Sequence, residues 1–178
     1  MSRPVRKITL PSDLEGVRNG QLPPRLLRPV TPTGRLHHLA ADAYHAMRAA
    51  ALSDGIRPFK PTSAPDTYRP LADQRRLFLA RYTLNPIAGR PVAVWEGKTY
   101  YLLPRVAQAA VPGTSNHGWG LAVDIWGASG PRLEWLEANA LRYGFSWEFR
   151  SGAEPWHIRY FRGDKIPPAV RVWKAAQL

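Results

Sequence analysis

Cysteine is absent from the 178-residue chain, which removes disulfides, thiolate metal sites and cysteine nucleophiles at once. Any bound metal must therefore be held by His, Asp or Glu. Long apolar runs are missing too, and nothing approaches the ~20 residues that a membrane span requires. Pro11, Asp13, Glu15 and Arg18 interrupt the segment behind the charged first residues, so no export signal is expected. Acidic residues are scarce, 13 against 25 Lys and Arg, for a formal net charge of +12. The basic excess is spread along the chain with no block of five or six like charges, which predicts a surface attracted to polyanions: nucleic acid, an anionic membrane or an anionic wall polymer. No helix-turn-helix, zinc-finger or RNA-recognition signature accompanies that charge, so specific nucleic-acid binding is the weaker reading.

What is present belongs to a folded protein. Hydrophobic residues make up 44% of the chain and there are seven Trp, enough for one substantial core, while 18 Pro and 14 Gly predict long irregular connections. Residues 1–33 hold six prolines and show neither helical nor strand period, and are read as an extended arm packed on a core or a partner. From Gly34, Leu36, Leu39, Ala40, Ala43, Met47 and Ala50 recur at three and four, predicting an amphipathic helix that ends near Gly55. Residues 71–82 repeat that pattern behind Pro70, and residues 131–143 form a third helix stopped by Gly144. Residues 92–102 read as a hairpin with its tip at Glu96-Gly97, and residues 121–126, 145–149 and 156–161 read as strands. The expected class is α+β, with a small, mostly antiparallel sheet and flanking helices. The expected division is an arm (1–33), a main domain (34–162) and a C-terminal tail (163–178).

The chemistry concentrates in two segments. In Thr114-Ser115-Asn116-His117-Gly118-Trp119-Gly120-Leu121-Ala122-Val123-Asp124, a histidine in a glycine-rich turn precedes by seven positions an aspartate on an apolar strand. A carboxylate there is costly to bury without a strong partner, and a divalent cation is one. Alone, the segment could equally place Asp124 in water or against an arginine. Glu154-Pro155-Trp156-His157 supplies a second histidine opening a strand, with a carboxylate three positions before it. His117, Asp124 and His157 then make three protein ligands, which for zinc leaves a position for water, the catalytic arrangement. Zinc lowers the pKa of bound water toward ~7, and Glu154 is the natural base for the proton released. Trp119, inside the same turn, is a candidate pocket wall. His37, His38 and His45 form no i, i+4 pair and are read as surface or packing residues.

Ser115-x-His117-x6-Asp124 followed by Glu154-Pro155-Trp156-His157 resembles the signature of the D-alanyl-D-alanine carboxypeptidase and L-alanyl-D-glutamate peptidase family, related to the lysostaphin and hedgehog folds. Tyr68-Arg69 with Gln74 is similar to that family's upstream element, although Pro70 stands where a small polar residue is common. The resemblance covers roughly residues 35–162. It implies one zinc per chain on His117, Asp124 and His157, with Glu154 as base and Arg69 as the positive charge at the scissile carbonyl. It further implies that Ser115, Gln74 and Tyr68 serve the substrate, and that the substrate is bacterial peptidoglycan, cut by carboxypeptidase or endopeptidase action. The basic surface suits anionic wall polymers. With no export signal expected, the reading is a phage protein made in the host cytoplasm, as an endolysin or a tail component docked through residues 1–33 and 163–178. The competing reading is a non-catalytic zinc-binding module of the same fold, whose signature would be loss of the base; Glu154 is present.

Overall fold

A computed structural model describes residues 3–177. The regular elements are β1 (Leu27–Pro29), β2 (Arg35–His37), α1 (His38–Ser53), α2 (Leu71–Arg81), β3 (Tyr82–Thr83), β4 (Val92–Trp95), β5 (Lys98–Leu102), β6 (Ala122–Asp124), α3 (Gly130–Asn139), β7 (Phe145–Trp147), β8 (His157–Tyr160) and α4 (Pro168–Ala175). The class is α+β as expected. The β structure is three small antiparallel sheets instead of one, in the orders β1-β2, β3-β5-β4 and β6-β8-β7.

Helix α1 starts at His38, four residues later than its apolar period predicts, because Arg35–His37 pair with Leu27–Pro29. The amide of His37 is also taken, by the carbonyl of Gly120 at 2.9 Å. Non-local pairing thus overrides a helical period that the side chains would allow. The helix is buried on more than one side: Ala40, Ala41, Ala43, Tyr44, Met47 and Ala51 all belong to the main core. Its small residues let neighbouring elements approach closely, and Leu121, Val123, Ile125, Phe145, Trp147 and Ile158 from the β6-β8-β7 region join the same core.

Both flanking segments contribute to this packing. Leu14, Leu22, Leu26 and Val30 of the proline-rich N-terminal segment lie in the main core, and Asp13 accepts hydrogen bonds from His37 (2.9 Å) and His38 (2.6 Å). In the C-terminal segment, α4 lies against α1 with Val170 buried. There the Trp173 ring stacks on His45 at 6.2 Å, and Lys174 reaches Asp42 at 2.5 Å.

A second, smaller core gathers Phe78, Tyr82, Tyr100 and Leu102 between α2 and the three-stranded sheet β3-β5-β4. Its hairpin turns at Glu96-Gly97, where φ is 50° and 72°. Two successive positive φ values match the twist of the strands they join, which is the tip expected from the sequence. Among the described residues no helix is long and apolar enough to cross a membrane.

Candidate metal centre

The site is assembled from a turn and a strand pair. Asn116–Trp119 form a single 3-10 turn, capped by Ser115, whose Oγ accepts from the His117 amide at 3.2 Å. Gly120 closes the turn at φ 64°, its own amide bonded to the carbonyl of His117 at 3.0 Å. A side chain at Gly120 would run into the backbone nitrogen of His37 at 2.7 Å, so glycine serves both the turn and the close approach of β2. Asp124 ends β6 directly opposite His157, which opens β8. One ladder register therefore puts two of the three groups side by side.

His117 Nε2 lies 3.4 Å from Asp124 Oδ1, and His157 Nδ1 lies 2.8 Å from the same oxygen. One donor atom from each of the three residues falls within 4.8 Å of the others. The outward nitrogens are also engaged. His117 Nδ1 meets the carbonyl of Thr67 at 2.8 Å, and His157 Nε2 faces Glu148 Oε2 at 3.6 Å. A carbonyl only accepts, so Nδ1 of His117 carries a proton, and Nε2 is the nitrogen turned toward Asp124. His157 makes its hydrogen bond through Nδ1 to Asp124, and Glu148 is an ion-pair neighbour of its Nε2. An acceptor behind the ring, as the Thr67 carbonyl is for His117, is the arrangement that fixes the tautomer and basicity of metal-bound histidines.

Burial by itself would raise the Asp124 carboxyl, but hydrogen bonds and charge from His117 and His157 outweigh it and hold the group well below the usual carboxylate range. It is ionised at neutral pH. Two imidazoles and one carboxylate, with ring nitrogens and oxygen converging, match the donor set of a single-zinc site with three protein ligands. A second group, Asp13, His37 and His38, also brings donor atoms within 4.8 Å. There both Nε2 atoms are already hydrogen-bonded to the carboxylate, and the trio fastens residue 13 to the start of α1.

Arg69 is built into the same frame. Its amide donates to the carbonyl of His117 at 3.0 Å, its Nε to the carbonyl of Pro65 at 3.1 Å, and its guanidinium stands 3.5 Å from Asp66. Burial pulls its pKa down while the negative charges of Asp124 and Asp66 pull it back, and it remains a cation. Glu154 lies three residues before His157, half-buried, and its carbonyl accepts from the His157 amide at 3.1 Å. Beside Asp124 opens a cavity of about 490 Å³ whose lining includes Thr62, Asp66, Ser129, Pro155 and Trp156. Its size is that of a small-molecule or peptide-end site.

The other expected site residues take different places. Gln74 is only 3% exposed, donating to Asn19 Oδ1 and the carbonyl of Arg69, both at 3.1 Å, and accepting from the Gly113 amide at 2.9 Å. Tyr68 is buried and its hydroxyl accepts from the Leu22 amide at 3.1 Å. Both side chains brace the backbone that carries Arg69. Ser115 caps the His117 turn, and Trp119 lines a separate cavity with Asn19, Leu71, Trp95 and Pro112. Thr67, Asn19 and Glu148 went unseen in the sequence. Thr67 acts through its carbonyl, which no side-chain pattern reports, and Asn19 donates to the carbonyl of Ser115 at 2.8 Å from 96 positions away.

Known proteins share this fold. The family model VanY, D-alanyl-D-alanine carboxypeptidase, matches residues 33–163. A D-alanyl-D-alanine carboxypeptidase of Enterococcus faecalis is 33% identical over 129 residues, which are 62% of this chain but 42% of the relative's length. Among solved structures, the LdcB LD-carboxypeptidase superposes with a TM-score of 0.59 at 22% identity, over 99% of this chain and 90% of that one. VanYB in complex with D-alanine-D-alanine follows at 0.54 and 23%, covering 84% and 83%. The vancomycin-resistance D,D-pentapeptidase VanY in complex with Zn(II) gives 0.52 and 22%, covering 86% and 88%. These likenesses show a shared fold, and the family model spanning most of the chain shows that the protein belongs to the VanY D-alanyl-D-alanine carboxypeptidase family.

Proposed function

We propose that the protein is a zinc-dependent peptidase that removes the terminal D-alanine from stem peptides of bacterial peptidoglycan. The observation that carries the reading is the convergence of His117 Nε2, Asp124 Oδ1 and His157 Nδ1, with the Thr67 carbonyl behind the His117 ring. The D-alanyl-D-alanine substrate comes from the named relatives.

When bound, zinc supplies a Lewis acid that lowers the pKa of water toward ~7 and polarises a carbonyl. The chain's own groups do the rest. Glu154, as carboxylate, takes the proton of the water attacking the scissile carbonyl carbon; once protonated, it returns that proton to the leaving amine. Arg69 is a fixed cation for the carbonyl oxygen as it turns negative, an effect worth about 3 kcal/mol where such a donor is removed. Its guanidinium is already desolvated and anchored by Pro65 and Asp66, so little reorganisation accompanies the reaction. The cavity of about 490 Å³ beside Asp124 receives the peptide end, with Trp156 and Pro155 as its apolar wall.

Mass spectrometry of defined stem pentapeptides after digestion tests the reading. Loss of one alanine from the wild-type digest and at least a 100-fold slower loss with Glu154→Gln are expected, on the scale of general acid–base contributions. Cleavage between L-alanine and D-glutamate instead would assign the endopeptidase branch, and equal rates for the two proteins would remove Glu154 from the chemistry.

A further inference from the structure

The connection between β7 and β8, residues 148–156, has no regular structure yet carries Glu154. Glu154 is itself held at φ 53°, in the left-handed region that a residue with a side chain keeps only when its surroundings fix it. Those surroundings come from the other end of the chain. Arg3 donates from one guanidinium nitrogen to the carbonyl of Ala153 at 3.1 Å and from the other to the carbonyl of Gly152 at 2.9 Å. Its amide donates to the carbonyl of Arg150 at 2.8 Å. For an arginine it is unusually enclosed, at 6% exposure.

Arg3 is in turn placed by its neighbours. The carbonyl of Pro4 accepts from the Trp147 amide at 3.1 Å, and Val5 forms a parallel bridge with Trp147. The indole of Trp147 then donates to the carbonyl of Pro155 at 2.8 Å. The backbone is thus pinned immediately before Glu154 by Arg3 and immediately after it by Trp147. A planar fork presenting two parallel donors suits two successive carbonyls, which a lysine ammonium cannot match.

We infer that Arg3 is a positioning residue for Glu154, setting the loop conformation from which the proton carrier acts. The inference rests on the reading of Glu154 given above. Without the fork, the loop samples other conformations and Glu154 spends less time in reach of the attacking water, so kcat falls while substrate affinity and metal binding persist.

The test compares wild type with Arg3→Ala, Arg3→Lys, Glu154→Gln and the control Arg6→Ala, whose side chain is exposed. Each is measured for kcat and KM on a short peptide ending in D-alanyl-D-alanine, for bound zinc per chain, and for amide exchange of residues 150–156. Arg3→Ala should lower kcat roughly 10- to 100-fold, with KM and zinc content within about twofold of wild type, and with faster exchange confined to the loop. Arg3→Lys should recover part of the loss, and Arg6→Ala should stay at the wild-type rate. An unchanged kcat in a zinc-loaded Arg3 variant, or a loss that merely follows zinc content, overturns the inference. If Arg3→Ala does not fold, Arg3→Lys decides through the same kcat and exchange readouts. Full activity of Glu154→Gln would instead overturn the functional reading, a failure distinct from that of Arg3.

Discussion

Each histidine in this chain is defined by what stands behind its ring. At His117 the outer nitrogen donates to the Thr67 carbonyl and the inner one faces Asp124, while His157 meets the same carboxylate through Nδ1 with Glu148 beyond its Nε2. His37 is different: it is fully buried, bonded through Nε2 to Asp13, and its Nδ1 has no partner among the described residues. Burial drives its pKa below the ordinary value, against the pull of Asp13. A histidine depressed on folding takes up its proton more readily in the unfolded chain. Its contribution to stability is therefore complete above about pH 6.5 and is lost as the pH falls from there toward the folded pKa. Thermal unfolding followed between pH 7.5 and 5 should show a steeper fall for wild type than for His37→Gln, and parallel slopes would show that His37 is not the group involved.

At the scale of elements, the arm is as much a part of the fold as the helices. Leu26 lies in the main core although the sequence around it has no period to announce burial. Leu26→Ala should cost roughly 2–5 kcal/mol, the range for truncating a buried leucine, and denaturant unfolding would read it directly. A change under about 0.5 kcal/mol would mean that the arm is only loosely laid on the domain. The elements legible in the sequence were those whose signal is local: the Glu96-Gly97 hairpin, α2 behind Pro70, and the third helix, which ends in a 3-10 turn before Gly144. What could not be read depended on distant partners. The start of α1 was displaced by pairing with β1, the expected strand over residues 121–126 keeps ladder pairing only at Ala122–Asp124, and α4 lay hidden in a stretch read as tail. The same distinction holds in the site. The convergence of His117, Asp124 and His157 was legible in their residue types and spacing, whereas the buried placement of Gln74 depends on Asn19 and Gly113, which only the fold brings to it.

For the whole molecule, two features set the working surface. The net charge of +12 gives the protein a positive field of the kind that attracts polyanions, and a cavity of about 490 Å³ opens beside Asp124. The flanking segments close around the domain from both ends: residues 3–9 run beside β7 and the Phe161-Arg162 segment, and α4 packs on α1. The metal centre therefore sits in a frame contributed by nearly the entire chain, and its occupancy is the claim on which the rest depends. Zinc content per chain, measured by elemental mass spectrometry on wild type, His117→Ala and Asp124→Ala after dialysis against dilute zinc, tests it most directly. The account predicts one zinc in the wild type and well under half of that in folded samples of either variant. Undiminished zinc in both variants would contradict it and place the metal elsewhere.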